Sequence, residues 1–281
     1  MHRELSVGIV LIVLGTGVLH AGWNAITKSF RDRLMVLAWI GVALSASGAV
    51  VLGITGLPGR VAVLFAVLSA AVHVVYDLAL VNAYRLGAFN QTYPIARGTS
   101  PLVVALGAAL FVGERLSGLS LVGVIVLAAG LMSLAFSSGR VARSDLPAVL
   151  AAVGTGLVTA VYSLLDGIGV RHAAEPLSYV ALVFVLEGPI FPLVALRRPR
   201  AEWTRNRIAR RGLIAGCLSV VAYGTVVWAQ TRAPLAEVAA LRETGVISAA
   251  VMGALFFKEG FGCRRLGAAV AVALGIVLIS L

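Results

Sequence analysis

Ten stretches of about twenty apolar residues follow one another along the chain with only short connections between them. They run over roughly 6–27, 34–56, 61–84, 90–112, 118–137, 147–169, 176–196, 210–231, 236–257 and 264–281. A run of that length crosses the hydrocarbon core of a bilayer as an α-helix, which satisfies its own backbone hydrogen bonds where no water can. Composition leaves no other solvent: of 281 residues 60% are hydrophobic and 12% charged, with a mean hydropathy of +0.99. That is too little charge to cover a water-facing surface. The sequence predicts an all-α integral membrane protein of ten transmembrane helices, without a soluble domain.

The formal net charge of +11 does not point to nucleic acid, because the basic residues lie between apolar runs rather than on one face interleaved with aromatics. Cys217 and Cys263 stand far apart and have neither disulfide nor metal spacing, so no metal or cofactor is expected. The first apolar run resembles a signal peptide but continues without an A-x-A site into "AGWNAITK", and a retained first span is expected. If the connections alternate sides, sixteen Lys and Arg gather on one side, seven of them between Arg197 and Arg211, and five on the other. The positive-inside rule then places the 197–211 loop in the cytoplasm and both termini outside.

The two remaining basic residues, Arg97 and Arg242, fall inside spans, where an arginine costs about 2.5–3.5 kcal/mol on insertion scales. They are related. "GTGVLHAGWNAITK" from Gly15 aligns with "GTGLVTAVYSLLDG" from Gly154, and a shift of 145 places Arg97 on Arg242, Thr99 on Thr244 and Glu114 on Glu259. The chain thus reads as two five-span halves, 1–138 and 139–281. Five being odd, the second enters the membrane the opposite way round, giving two inverted five-helix repeats around a central cavity. Each arginine lies about seven residues into its span, roughly 10 Å below opposite faces. Snorkelling to the headgroups is the bland account of such a residue. Its recurrence in both halves, beside Pro94 and Pro101 in the first, favours a role at the repeat interface.

Other polar residues fall in stripes. Thr16, His20, Trp23, Asn24 and Thr27 share a face of span one, and Thr155, Thr159, Tyr162, Ser163 and Asp166 share one of span six. His73, Tyr76, Asp77 and Tyr84 lie on span three, Tyr223 and Trp228 on span eight, and Tyr93 one turn before Arg97. Small hydroxyls also join membrane helices to one another, whereas Trp23, Asn24 and Tyr162 are expected to line a wet cavity. The intramembrane carboxylates Asp77, Glu187 and Glu243 do not follow the repeat; they are expected to pair with the arginines or to be proton carriers. Glu114 and Glu259 are expected to be solvated or interfacial helix ends.

"HAGWNAITK", "YPIARGTSPLVVALGAALFVGERLS" and "EVAALRETGVISAAVMGALFFKE" resemble the EamA-type ten-helix members of the drug/metabolite transporter superfamily. The likeness spans both halves, although Lys258, Glu259 and Gly260 stand where the first copy has Gly113, Glu114 and Arg115. It implies an inner-membrane carrier of a small-molecule substrate, usually one that exports amino acids or similar metabolites; nothing in the sequence selects a monomer or a homodimer. Drug and nucleotide-sugar carriers of the superfamily are the alternatives. Span one has His20 and Asn24 where the small multidrug exporters carry a carboxylate, and two cavity arginines are few for a dianionic phosphate. A channel lacks a filter sequence or a charge ring. An enzyme is disfavoured: Tyr76-Asp77 resembles half of an intramembrane aspartyl protease, but the Gly-x-Gly-Asp half is missing, so no catalytic residue is expected. The expected substrate-binding residues are His20, Trp23, Asn24, Tyr76, Asp77, Tyr93, Arg97, Tyr162, Ser163, Trp228, Arg242 and Glu243.

Overall fold

The computed structural model describes residues 5–30, 32–87, 89–136, 145–203, 206–246 and 263–281. Among them the chain is helical, in the order α1 (Val7–Lys28), α2 (Arg33–Thr55), α3 (Arg60–Leu86), α4 (Phe89–Gly107), α5 (Gly118–Ser133), α6 (Leu146–Arg171), α7 (Pro176–Glu187), α8 (Ile190–Ala195), α9 (Arg200–Trp203), α10 (Asn206–Ala229), α11 (Leu235–Glu243) and α12 (Cys263–Ser280). Seven helical stretches are long and apolar enough to cross a membrane, and two shorter apolar ones, Gly118–Ser133 and Leu266–Ser280, accompany them. The chain is an all-α membrane protein. The second half of the expected ninth span, and Lys258 and Glu259 just beyond it, lie outside the described residues.

Local chemistry sets the helix ends. Ser6, Asp32 and Ser117 cap α1, α2 and α5 by accepting the backbone N–H of Ile9, Met35 and Ser120. Two of the expected spans are interrupted. The seventh breaks between α7 and α8 at Gly188-Pro189, a step invisible to a window that averages hydropathy over about nineteen residues. The ninth breaks after Glu243, where Thr244 folds its hydroxyl onto the Leu241 carbonyl at 2.6 Å before residues 245 and 246 turn helical again.

α4 keeps Pro94 and Pro101 inside its length. Pro101 has no N–H for the carbonyl of Arg97 one turn earlier, so that carbonyl lacks its usual helical donor. The helix then widens into a π-helical turn, Ala108–Val112, and Gly113 ends it in the left-handed region at φ 72°. This conformation, cheap only for glycine, directs the next residue, Glu114, back across the bundle.

Helix contacts follow a regular scheme. α3 packs on α6 and α1 on α10; α2 packs on α10 and α3 on α7; α4 packs on α6 and α1 on α11; α2 meets α7, and α5 meets α12. Small residues permit the closest approaches. A Cβ on Gly156 of α6 would stand 2.6 Å from the Ala96 carbonyl of α4, and one on Gly17 of α1 would stand 3.1 Å from Gly245 Cα. Both approaches occur beside the arginines and hold α1, α4, α6 and α11 around them.

Candidate functional site

Arg97 and Arg242 come together on one carboxylate. Arg97 Nη1 donates to Glu243 Oε2 at 2.9 Å, while Arg242 donates from Nη2 and Nε to Oε1 at 2.7 and 3.1 Å. The Glu243 side chain is wholly buried, and the arginine side chains are 11% and 13% exposed. The snorkelling account therefore fails, since these guanidiniums are held inside the bundle. Two arginines against one carboxylate leave the triad with one net positive charge.

Aromatic rings flank it. The Arg97 guanidinium lies over the Tyr93 ring at 5.0 Å and that of Arg242 over Tyr162 at 5.6 Å. On α1 the Trp23 indole N–H points at His20 Nδ1 at 3.2 Å, and Arg97 Nη2 stands 3.2 Å from His20 Nε2. Tyr162 stacks on His73 at 4.1 Å and meets Tyr76 edge-on at 5.6 Å. Thus His20, Trp23, Tyr76, Tyr93, Arg97, Tyr162, Arg242 and Glu243 form one continuous constellation.

Four expected members sit elsewhere. Asn24 spends a side-chain N–H on the His20 carbonyl of its own helix at 2.8 Å. Ser163 is fully buried, donates to the Thr159 carbonyl and lends its own carbonyl to Gln230. Trp228 stands at the end of α10 under Arg232, 5.8 Å from its guanidinium. Asp77 pairs with neither arginine; its electrostatic neighbours are Glu187 and His73. Of the three carboxylates outside the repeat, expected either to pair with the arginines or to carry protons, Glu243 is the one that pairs with them among the described residues. The striped Thr16, Thr27, Thr155 and Thr159 likewise donate to carbonyls one turn back on their own helices, which explains how they sit in apolar surroundings at little cost.

Two further polar clusters surround the constellation. Asp166, 2% exposed, accepts from Ser69 at 2.5 Å, Tyr179 at 3.0 Å and Tyr223 at 2.8 Å, tying α6 to α3, α7 and α10. At the end of α6, Arg171 donates to Glu114 and to the carbonyls of Gln230 and Ala233, while Glu114 also accepts the Leu235 N–H at 2.7 Å. Glu114, expected to be a solvated or interfacial terminus, is a clasp between α4, α6 and the α10–α11 turn. Ser69 and Tyr179 carried no sequence signal, since a lone hydroxyl in an apolar run reads as helix contact.

A bundle whose helices are long enough to span a bilayer, closed around a buried ionic and aromatic cluster, is a multi-pass membrane protein built to handle polar groups inside the membrane. Residues 146–281 match the family model described as the EamA-like transporter family. The second half of the chain is thus similar to a family of transporters. A solved structure described only as a crystal structure of a protein is 17% identical, covers 96% of this chain and 94% of its own, and superposes with a TM-score of 0.76. At that identity it speaks for the fold alone. No curated protein matches the chain.

Proposed function

We propose that the chain is a transporter that exports amphipathic amino acids, large neutral or aromatic ones in particular, from a bacterial cell across the inner membrane. The observation that carries the reading is the triad: two arginines share Glu243 and retain one positive charge, matching one substrate carboxylate. Trp23, Tyr76, Tyr93 and Tyr162 stand beside it to cover an apolar side chain, and Asp77 with Glu187 supplies negative charge beyond the aromatic layer. A sugar-phosphate dianion would need more fixed positive charge than this.

The two halves, 1–138 and 139–281, act in this proposal as inverted repeats that rock about the triad and expose it to each side in turn. The helix contacts support the division. Exchanging α1 with α6, α2 with α7, α3 with α10, α4 with α11 and α5 with α12 turns the α3–α6 pair into α1–α10, α2–α10 into α3–α7 and α4–α6 into α1–α11, and returns α2–α7 and α5–α12 to themselves. The 197–211 loop faces the cytoplasm and both termini face outward.

The test is efflux from vesicles reconstituted with the purified chain and loaded with mixed amino acids. Loss of phenylalanine, tyrosine or leucine from loaded vesicles, weakened by Trp23→Ala or Tyr162→Ala, is expected. Efflux of lipophilic cations with no movement of any amino acid would overturn the reading in favour of a drug exporter.

A further inference from the structure

We propose that His20 and Arg97 together form an oxyanion nest that receives one oxygen of the substrate's carboxylate. This rests on the carboxylate reading of the cargo. The Trp23 indole N–H can only donate, and in the nest its acceptor is His20 Nδ1, 3.2 Å away. A neutral imidazole that accepts at Nδ1 carries its proton on Nε2. That Nε2–H faces Arg97 Nη2 at 3.2 Å, and a guanidinium also only donates. Two N–H groups therefore meet with no acceptor between them.

Moving the proton to Nδ1 gives Arg97 its acceptor but sets two N–H groups against each other at Trp23 instead. A second proton would set a donor against Trp23 as well and add a third cation beside Arg97 and Arg242. Turning the ring over replaces both nitrogens by carbons and loses both contacts. Glu243 does not serve as that acceptor: its Oε1 takes two bonds from Arg242 and its Oε2 one from Arg97 Nη1, and neither oxygen is hydrogen-bonded to His20. What resolves the clash is an oxygen from outside, placed where it accepts from Nε2–H and Nη2–H at once, in two hydrogen bonds of which one is charge-assisted.

The same pair of donors repels an ammonium group and so fixes which end of a zwitterion points at α1. His20 is then a specificity residue for the anionic end, and Trp23 positions it by holding its tautomer.

Solid-state NMR of the full chain, labelled with nitrogen-15 histidine in proteoliposomes, tests this, with the His20 signals identified by their loss in His20→Gln. The expected result is a neutral ring protonated at Nε2, whose N–H resonance moves when phenylacetate is added and stays when phenylacetamide is added. In a binding titration His20→Ala should weaken phenylacetate about tenfold, while His20→Gln, whose amide keeps one N–H and one oxygen, should restore most of it. A ring protonated at Nδ1, or a resonance indifferent to phenylacetate, overturns the nest. If phenylacetate binds in this way and no amino acid does, the nest stands and the amino-acid cargo falls.

Discussion

Arg171, in the last turn of α6, holds Glu114, which follows the π-helical turn of α4, at 2.5 Å across 57 residues of sequence. The pair does more than exchange charge, because Glu114 also accepts the Leu235 N–H and Arg171 also serves two carbonyls of the α10–α11 turn. Each side chain therefore performs a task its partner's chemistry cannot replace. Glu114→Ala is expected to cost about 3 kcal/mol, as for a partly buried ion pair that loses one member, and Glu114→Gln less because it still accepts from Leu235. The double exchange Glu114→Arg with Arg171→Glu should fail to restore stability. Denaturation in mixed micelles reads all three; full recovery by the exchange would reduce the clasp to a simple charge pair.

Replacing Arg97 by alanine should abolish transport of a confirmed substrate while the protein still reaches the membrane. Arg97→Lys should recover little of it, since an ammonium cannot serve Glu243 and His20 with separate, fixed N–H groups. Uptake by vesicles normalised to protein content checks this. Normal transport by Arg97→Ala would remove the triad from the binding site.

Two glycines two residues apart in α6 give a controlled comparison. A methyl on Gly156 would stand 2.6 Å from the Ala96 carbonyl, and one on Gly154 would meet nothing within 4 Å. Gly156→Ala should cost about 1–3 kcal/mol through forced separation of α4 and α6 beside Arg97, and Gly154→Ala should be neutral or slightly stabilising. Thermal denaturation in detergent distinguishes them; equal melting temperatures would contradict the close approach.

Topology is checked with single cysteines in a chain where Cys217 and Cys263 are serine. A cysteine between Arg197 and Arg211 should resist an impermeant maleimide added to intact cells, and one appended after Leu281 should react. The opposite pattern would reverse the orientation drawn from the charge count.

The apolar runs and the two buried arginines were legible in the sequence because both violate the statistics of a soluble chain, and the arginines because they recur at a shift of 145. Which carboxylate they hold was not. Asp77, Glu187 and Glu243 all sit in apolar spans, and only the break after Glu243 and the approach of Gly17 to Gly245 bring one of them to Arg97. The serine, threonine and asparagine stripes misled in a specific way. Periodicity shows which face a hydroxyl shares, but not that it bonds to its own helix one turn back, as Asn24 and Ser163 do.

Arg242 and Glu243 are consecutive residues, so their bond travels with one segment however the molecule moves. Arg97 reaches the same carboxylate from 146 positions away, and any sliding of α4 against α11 must stretch that bond first. In the proposed transport the Glu243 oxygen on Nη1 therefore keeps Arg97 paired whether or not a cargo carboxylate occupies Nη2. An empty site then leaves no bare guanidinium in the bilayer, because the counter-charge is part of the chain.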